Sequence, residues 1–125
     1  MFKQVIVVRR DLKMRQGKAI AQGAHAAMLF LLERLGSARP GEAPAFSVEE
    51  RAWMSGPMTK VCVRVESEGE LVAIMELARS AGLPVHAVTD SGRTEFKGVP
   101  TLTCCAIGPA LGESIDRVTG SLVLL

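Results

Sequence analysis

Two short stretches hold the residue types that could do chemistry. In the first, Lys18, Gln22 and His25 stand at i, i+4 and i+7, which places them on one face of a helix. They follow a turn, Arg9–Gly17, that carries Arg9, Arg10, Lys13 and Arg15 against the single acid Asp11. A helix beginning near Gly17–Lys18 offers free N–H groups and a partial positive charge at that end. Lys18 and the basic turn complete an anion site, and a phosphate is the obvious anion. The second stretch is Asp90-Ser91-Gly92-Arg93-Thr94, a polar loop that gathers a carboxylate, a hydroxyl and a guanidinium around a turn glycine. No Ser-His-Asp order, metal-ligand cluster or Gly-rich phosphate loop accompanies them. Gly17-Lys18 lacks the preceding glycine and following Ser/Thr of a P-loop.

The elements that must position these groups are legible in outline. Gln4–Val8 is an apolar β-branched run suited to a strand covered on both faces. The helix then runs to about Leu35. Gly36–Phe46 is rich in Gly, Pro and Ala and reads as an exposed loop. Ser47–Glu50 is a capping box for a short helix to Met54, with Trp53 as a core anchor. Lys60–Val65 alternates as a second strand, with Val61, Val63 and Val65 on one face and Lys60, Cys62 and Arg64 on the other. Ser67–Glu70 is another capping box, opening a helix that ends before Gly82. Pro84–Thr89 and Thr101–Ile107 read as strands, Gly108–Pro109 as the stop of the latter, Ser114–Val118 as a short helix, and Ser121–Leu125 as an edge strand. Alternating strands and helices imply a three-layer α/β domain over residues 1–125 with a mixed, mostly parallel four-stranded sheet. In such sheets ligands bind beyond the carboxyl ends of the strands. If the first and third strands are parallel neighbours, the basic turn and the Asp90–Thr94 loop share one edge. Lys18, Gln22, Asp90, Arg93 and Thr94 then converge.

Composition narrows the classes. A hydrophobic share of 48% over 125 residues supports a packed core and excludes disorder. No apolar run reaches the ~18 residues of a membrane span, and the N-terminus has no signal-peptide layout; the expected compartment is the cytoplasm. The net charge of +2 is unevenly spread: residues 1–18 hold six Lys/Arg and one Asp, giving +5, whereas the remaining 107 carry −3. The positive end points to a polyanionic partner. With aromatics at 4% and no Tyr, base stacking is not the mode of binding. Phosphate contacts would carry it, with strong salt dependence. Cys62, Cys104 and Cys105 sit in apolar stretches and read as buried reduced thiols.

The same stretches carry a family likeness. Asp11-Leu12-Lys13-Met14, Gly17-Lys18, Ala21-Gln22 and Ala24-His25-Ala26 resemble the N-terminal motif of the peptidyl-tRNA hydrolase 2 family. Asp90-Ser91-Gly92-Arg93-Thr94 resembles its D-A-G-R-T, Ala106-Ile107-Gly108-Pro109 its A-I-G-P, and Thr119-Gly120 its closing I-T-G. Ser91 replaces an Ala, Gly23 replaces a Cys or Ser, and Glu95–Thr101 departs from the Q-I-A-P-G-T of the better-known members, a pattern similar to a bacterial or phage-type subgroup. The resemblance implies an α/β/α sandwich with a mixed four-stranded sheet, frequent dimers, and an esterase without metal or organic cofactor. The implied substrate is peptidyl-tRNA or aminoacyl-tRNA, cleaved between acyl group and terminal ribose. The family's implicated residues fall on Lys18, Asp90 and Thr94, with Gln22 nearby.

Ester hydrolysis asks for an oriented water and a stabilised oxyanion. Asp90 would orient or activate water, Thr94 would hydrogen-bond the water or carbonyl, and Lys18 would hold a phosphate or the oxyanion. Gln22 would position the acyl amide, while Lys13, Arg15, His25 and Arg93 would contact the substrate. His25 also fits a packed imidazole bonded to a backbone carbonyl, and His86 a structural role. The competing class is a non-catalytic tRNA-binding adaptor that kept the fold.

Overall fold

The computed structural model describes residues 1–125. The chain runs β1 (Phe2–Arg9), α1 (Gln16–Ser37), α2 (Val48–Ser55), β2 (Lys60–Val65), α3 (Glu68–Ser80), β3 (Val85–Asp90), a short 3-10 turn (Phe96–Gly98), β4 (Thr101–Leu111) and α4 (Gly112–Thr119). The four strands form one sheet in the order β2-β1-β4-β3.

The sheet is mixed, as expected, but only β1–β2 is parallel; β1–β4 and β3–β4 are antiparallel. The expectation of a mostly parallel sheet fails because β3 reaches β4 without a helix, and β4 then inserts between β1 and β3. Every pairing that β4 makes is therefore antiparallel. Since β1 and β3 both oppose β4, they point the same way, and their carboxyl ends share one edge without the strands being neighbours.

Alternation along β1 feeds two cores. Val5 and Val7 join Val63, Leu71, Ile107 and Ile115 beneath α3 and α4. Ile6 and Val8 join Ala26, Val88, Cys104 and Ala106 beneath α1. The α2 layer is anchored by Trp53, which meets Phe30 edge-to-face at 5.8 Å between centroids. The Ser47 capping box is complete, and Glu50 also takes a bidentate pair from Arg34 at 2.9 and 3.2 Å. At Ser67 only half the box closes: Glu70 reaches the Glu66 amide instead of that of Ser67.

β4 does not stop at Gly108–Pro109. A register shift opposite Lys3 lets pairing resume at Ala110 and Leu111, so the Gly-Pro pair bends the strand without ending it. The C-terminal residues line the free edge of β2: Arg64 N–H donates to Val123 O and Leu125 N–H to Cys62 O. Cys104 and Cys105 are buried, but Cys62 is exposed, because no helix covers its face of β2. No helix is long and apolar enough to cross a membrane.

Candidate active site

The shared edge brings the first and third loops together. α1 starts with no acid in its first turn and no side-chain cap from Arg15, so its leading N–H groups stay free for an anion. Lys18 lies in that first turn. Its Nζ donates to Asp90 Oδ1 at 2.8 Å and to Thr94 Oγ1 at 3.0 Å. One turn on, Gln22 Nε2 donates to the same Asp90 oxygen at 3.4 Å. Asp90 Oδ2 accepts the Gly92 N–H at 2.8 Å. The ion pair is largely shielded, with Lys18 and Asp90 side chains 16% and 11% exposed.

The loop that presents Asp90 and Thr94 is held by its own backbone. Gly92 has φ +82°, and a Cβ there would lie 2.3 Å from Val99 O. Only glycine fits. Gly98 N–H donates to Gly92 O at 2.9 Å, and Arg15 pairs with Glu95 at 3.0 Å, tying the loop to the start of α1.

The Lys18 hydrogen bond, followed by the Gly92 amide, holds the Asp90 carboxyl below the ordinary carboxylate range. Burial pushes the Cys104 and Cys105 thiols up, to about 11 and about 12. Both stay protonated near neutrality, which removes them as nucleophiles.

One member of the cluster escaped the sequence reading. Thr103 is fully buried, and its hydroxyl donates to Gln22 Oε1 at 2.5 Å. Strict alternation in β4 puts Thr103 on the α3 side with Cys105. A bulge overturns it: Val88 pairs with Cys104 and Thr89 with Leu102, leaving Thr103 as the extra residue. The bulge turns its side chain toward α1, and the bond to Gln22 Oε1 leaves Gln22 Nε2 aimed at Asp90.

Thus Lys18, Gln22, Asp90 and Thr94 converge, while four expected contacts lie outside the cluster. Lys13, His25 and Arg93 are exposed and make no side-chain hydrogen bond, and Arg15, itself exposed, pairs with Glu95. His25 is not the packed imidazole expected from its alanine neighbours: Ala26 faces the sheet and His25 the solvent. His86 is structural, bonded to Glu33 of α1. No group of His, Cys, Asp and Glu side chains is arranged to hold a metal.

The family model described as peptidyl-tRNA hydrolase PTH2 matches residues 2–125. The chain belongs to the PTH2 family. Its relatives include a peptidyl-tRNA hydrolase of Methanopyrus kandleri, 45% identical over all of this chain and 99% of the relative. Those of Methanocaldococcus jannaschii and Aeropyrum pernix are 43% and 42% identical, covering 99% and 98% of this chain and 100% and 95% of theirs. The family match spans both halves of the cluster, from the basic turn to the Asp90–Thr94 loop.

Proposed function

We propose that this protein hydrolyses the ester between the acyl group and the terminal ribose of peptidyl-tRNA. The observation that carries the reading is the Lys18–Asp90–Thr94 constellation at the end of a basic strand–turn–helix, in a chain of the PTH2 family. An N-blocked aminoacyl-tRNA is the minimal substrate of the same chemistry.

The geometry suggests a division of labour. The depressed pKa of Asp90 makes it a poor proton acceptor near neutrality. Its role is therefore to orient the attacking water through the lone pairs left after Lys18, Gln22 and Gly92 are served. Lys18, adjoining free helix N–H groups, faces the charge that builds on the carbonyl oxygen. Thr94 Oγ1 accepts from Lys18, which leaves its own proton to donate to water or carbonyl. Gln22 positions the acyl amide, and Lys13, Arg15, His25 and Arg93 form an outer ring toward tRNA phosphates. Residues 1–125 would act as one domain, without cofactor, in the cytoplasm.

The decisive assay mixes the protein with N-blocked aminoacyl-tRNA and follows acyl release. Turnover well above buffer is expected, and Asp90→Asn should lower kcat roughly 10²-fold or more with tRNA binding kept. Binding without turnover in the native protein would favour the adaptor reading instead. A homodimer, which the family likeness implies, is a separate proposal; sedimentation at the mass of one 13.3 kDa chain would refute it.

A further inference from the structure

A groove lies away from the Lys18–Asp90 cluster. It lies beside α1, over the uncovered face of β1 and β2, with a volume of about 910 Å³. Its position follows from the layer geometry. α1 packs over β4, β3 and β1 but not over β2. β2 is two strands from β4, roughly 10 Å at the usual strand spacing. Packed helices lie about 8–10 Å apart. The groove is therefore a vacant helix position in the α1 layer.

Its chemistry is two-toned. The floor is apolar, with Ile6, Val8 and Cys62 on the strands, and Ile20 and Ala24 line the α1 wall. The rim is basic, formed by Arg10, Lys60 and Arg64 together with Lys13, which it shares with the ring assigned to tRNA phosphates; Arg64 is partly met by Glu66 at 3.6 Å, and no acidic side chain lines the groove itself. The apolar surface continues along α1 as Ile20, Met28, Leu32 and Leu35, which are 65%, 51%, 50% and 49% exposed. At 1.5 Å per residue this stripe is about 22 Å long, matching four turns of a partner helix.

We infer that this groove docks an amphipathic helix of another protein, with an apolar stripe and acidic flanks. Charge complementarity selects that occupant. A second copy facing groove to groove would bring two basic rims together, and α1 has only Glu33 as an acid. Nucleic acid would satisfy the rim but leave the apolar floor unmatched, since no aromatic side chain is there for a base to stack on. A helix with Glu or Asp beside its leucines fills both.

The test uses synthetic peptides of about 18 residues, enough to cover the stripe. One carries a leucine stripe flanked by Glu, one the same stripe flanked by Lys, and one the Glu composition with its leucines scattered. Anisotropy titrations and amide chemical-shift mapping are run on the whole chain. The Glu-flanked peptide should bind and shift resonances of α1 and β2. The other two should bind about tenfold or more weakly. Ile20→Asp, at an exposed position, and Arg64→Glu should each lower affinity about tenfold. Acyl-tRNA hydrolysis by Ile20→Asp should match the native protein, which separates this site from the catalytic cluster. Equal affinity for the Glu and Lys peptides would overturn the inference, as would full affinity in both variants. So would loss of tRNA affinity in Arg64→Glu without any peptide binding, or a dimer that Ile20→Asp dissolves.

Discussion

Thr103→Val tests whether the orientation of Gln22 is built from the sheet below it. Valine keeps the shape of threonine and replaces the hydroxyl with a methyl. It removes the 2.5 Å bond to Gln22 Oε1 and leaves that acceptor without its partner, in a side chain only 8% exposed. Stranding a buried polar group costs about 1–3 kcal/mol. Unfolding entropy is about 2.1 cal/mol/K per residue, or roughly 0.26 kcal/mol/K for 125 residues, so a loss of about 2 kcal/mol lowers Tm by roughly 8 °C. The catalytic consequence is separate. With Oε1 released, Nε2 is no longer directed at Asp90, and kcat should fall about tenfold at a temperature well below the transition. Thr103→Ser restores the hydroxyl and should recover most of kcat while losing one buried methyl. Thermal unfolding and acyl release from N-blocked aminoacyl-tRNA read the two effects. A valine variant with native Tm and native kcat would refute the argument, and a serine variant as slow as valine would show that the hydroxyl is not the reason.

The pH profile follows from Asp90. Its folded pKa is lowered, so it is ionised through the neutral range and protonates only below the usual carboxylate value of about 3.9. kcat/KM should therefore be flat on its acid side down to about pH 4, and Lys18→Met should move the limb upward by removing the main cause of the depression. An acid limb near pH 6 in the native protein would contradict this. The linked stability has the same sign: it is present above the unfolded pKa and lost as pH falls through the folded one. Gly92→Ala forces a Cβ against Val99 O, 2.3 Å away, and should cost turnover while leaving the helical circular dichroism intact; native turnover would show that the loop can shift. Arg34→Leu strands the fully buried Glu50 carboxylate and should lower urea stability by roughly 3 kcal/mol without changing kcat. A loss below the error of the extrapolation would mean that the Ser47 amide alone satisfies Glu50.

How much was visible in advance depended on whether the cause was local. The Lys18–Gln22 spacing and the Ser47 box act within one helix, and the Asp90–Thr94 turn is set by its own glycine; each is written in adjacent residues. So is the β1 run that feeds both cores, since a strand's period fixes which side chains share a face. The strand order was not written locally. Nothing between Asp90 and Thr101 says that β4 inserts beside β1, yet that insertion makes the sheet mainly antiparallel and still leaves β1 and β3 pointing the same way. The fates of His25 and Cys62 were also tertiary. Which face of α1 meets the sheet, and which strand α1 leaves bare, depend on the packing of whole layers. Thr103 shows the limit most sharply. Alternation assigns it to the wrong face, and only the bulge opposite Val88 and Thr89 turns it toward Gln22. Which groups are available for chemistry is written in the chain alone, because spacing and turn type are local properties. Their convergence on one carboxylate was decided by strand pairing, because register is settled between segments far apart in the chain.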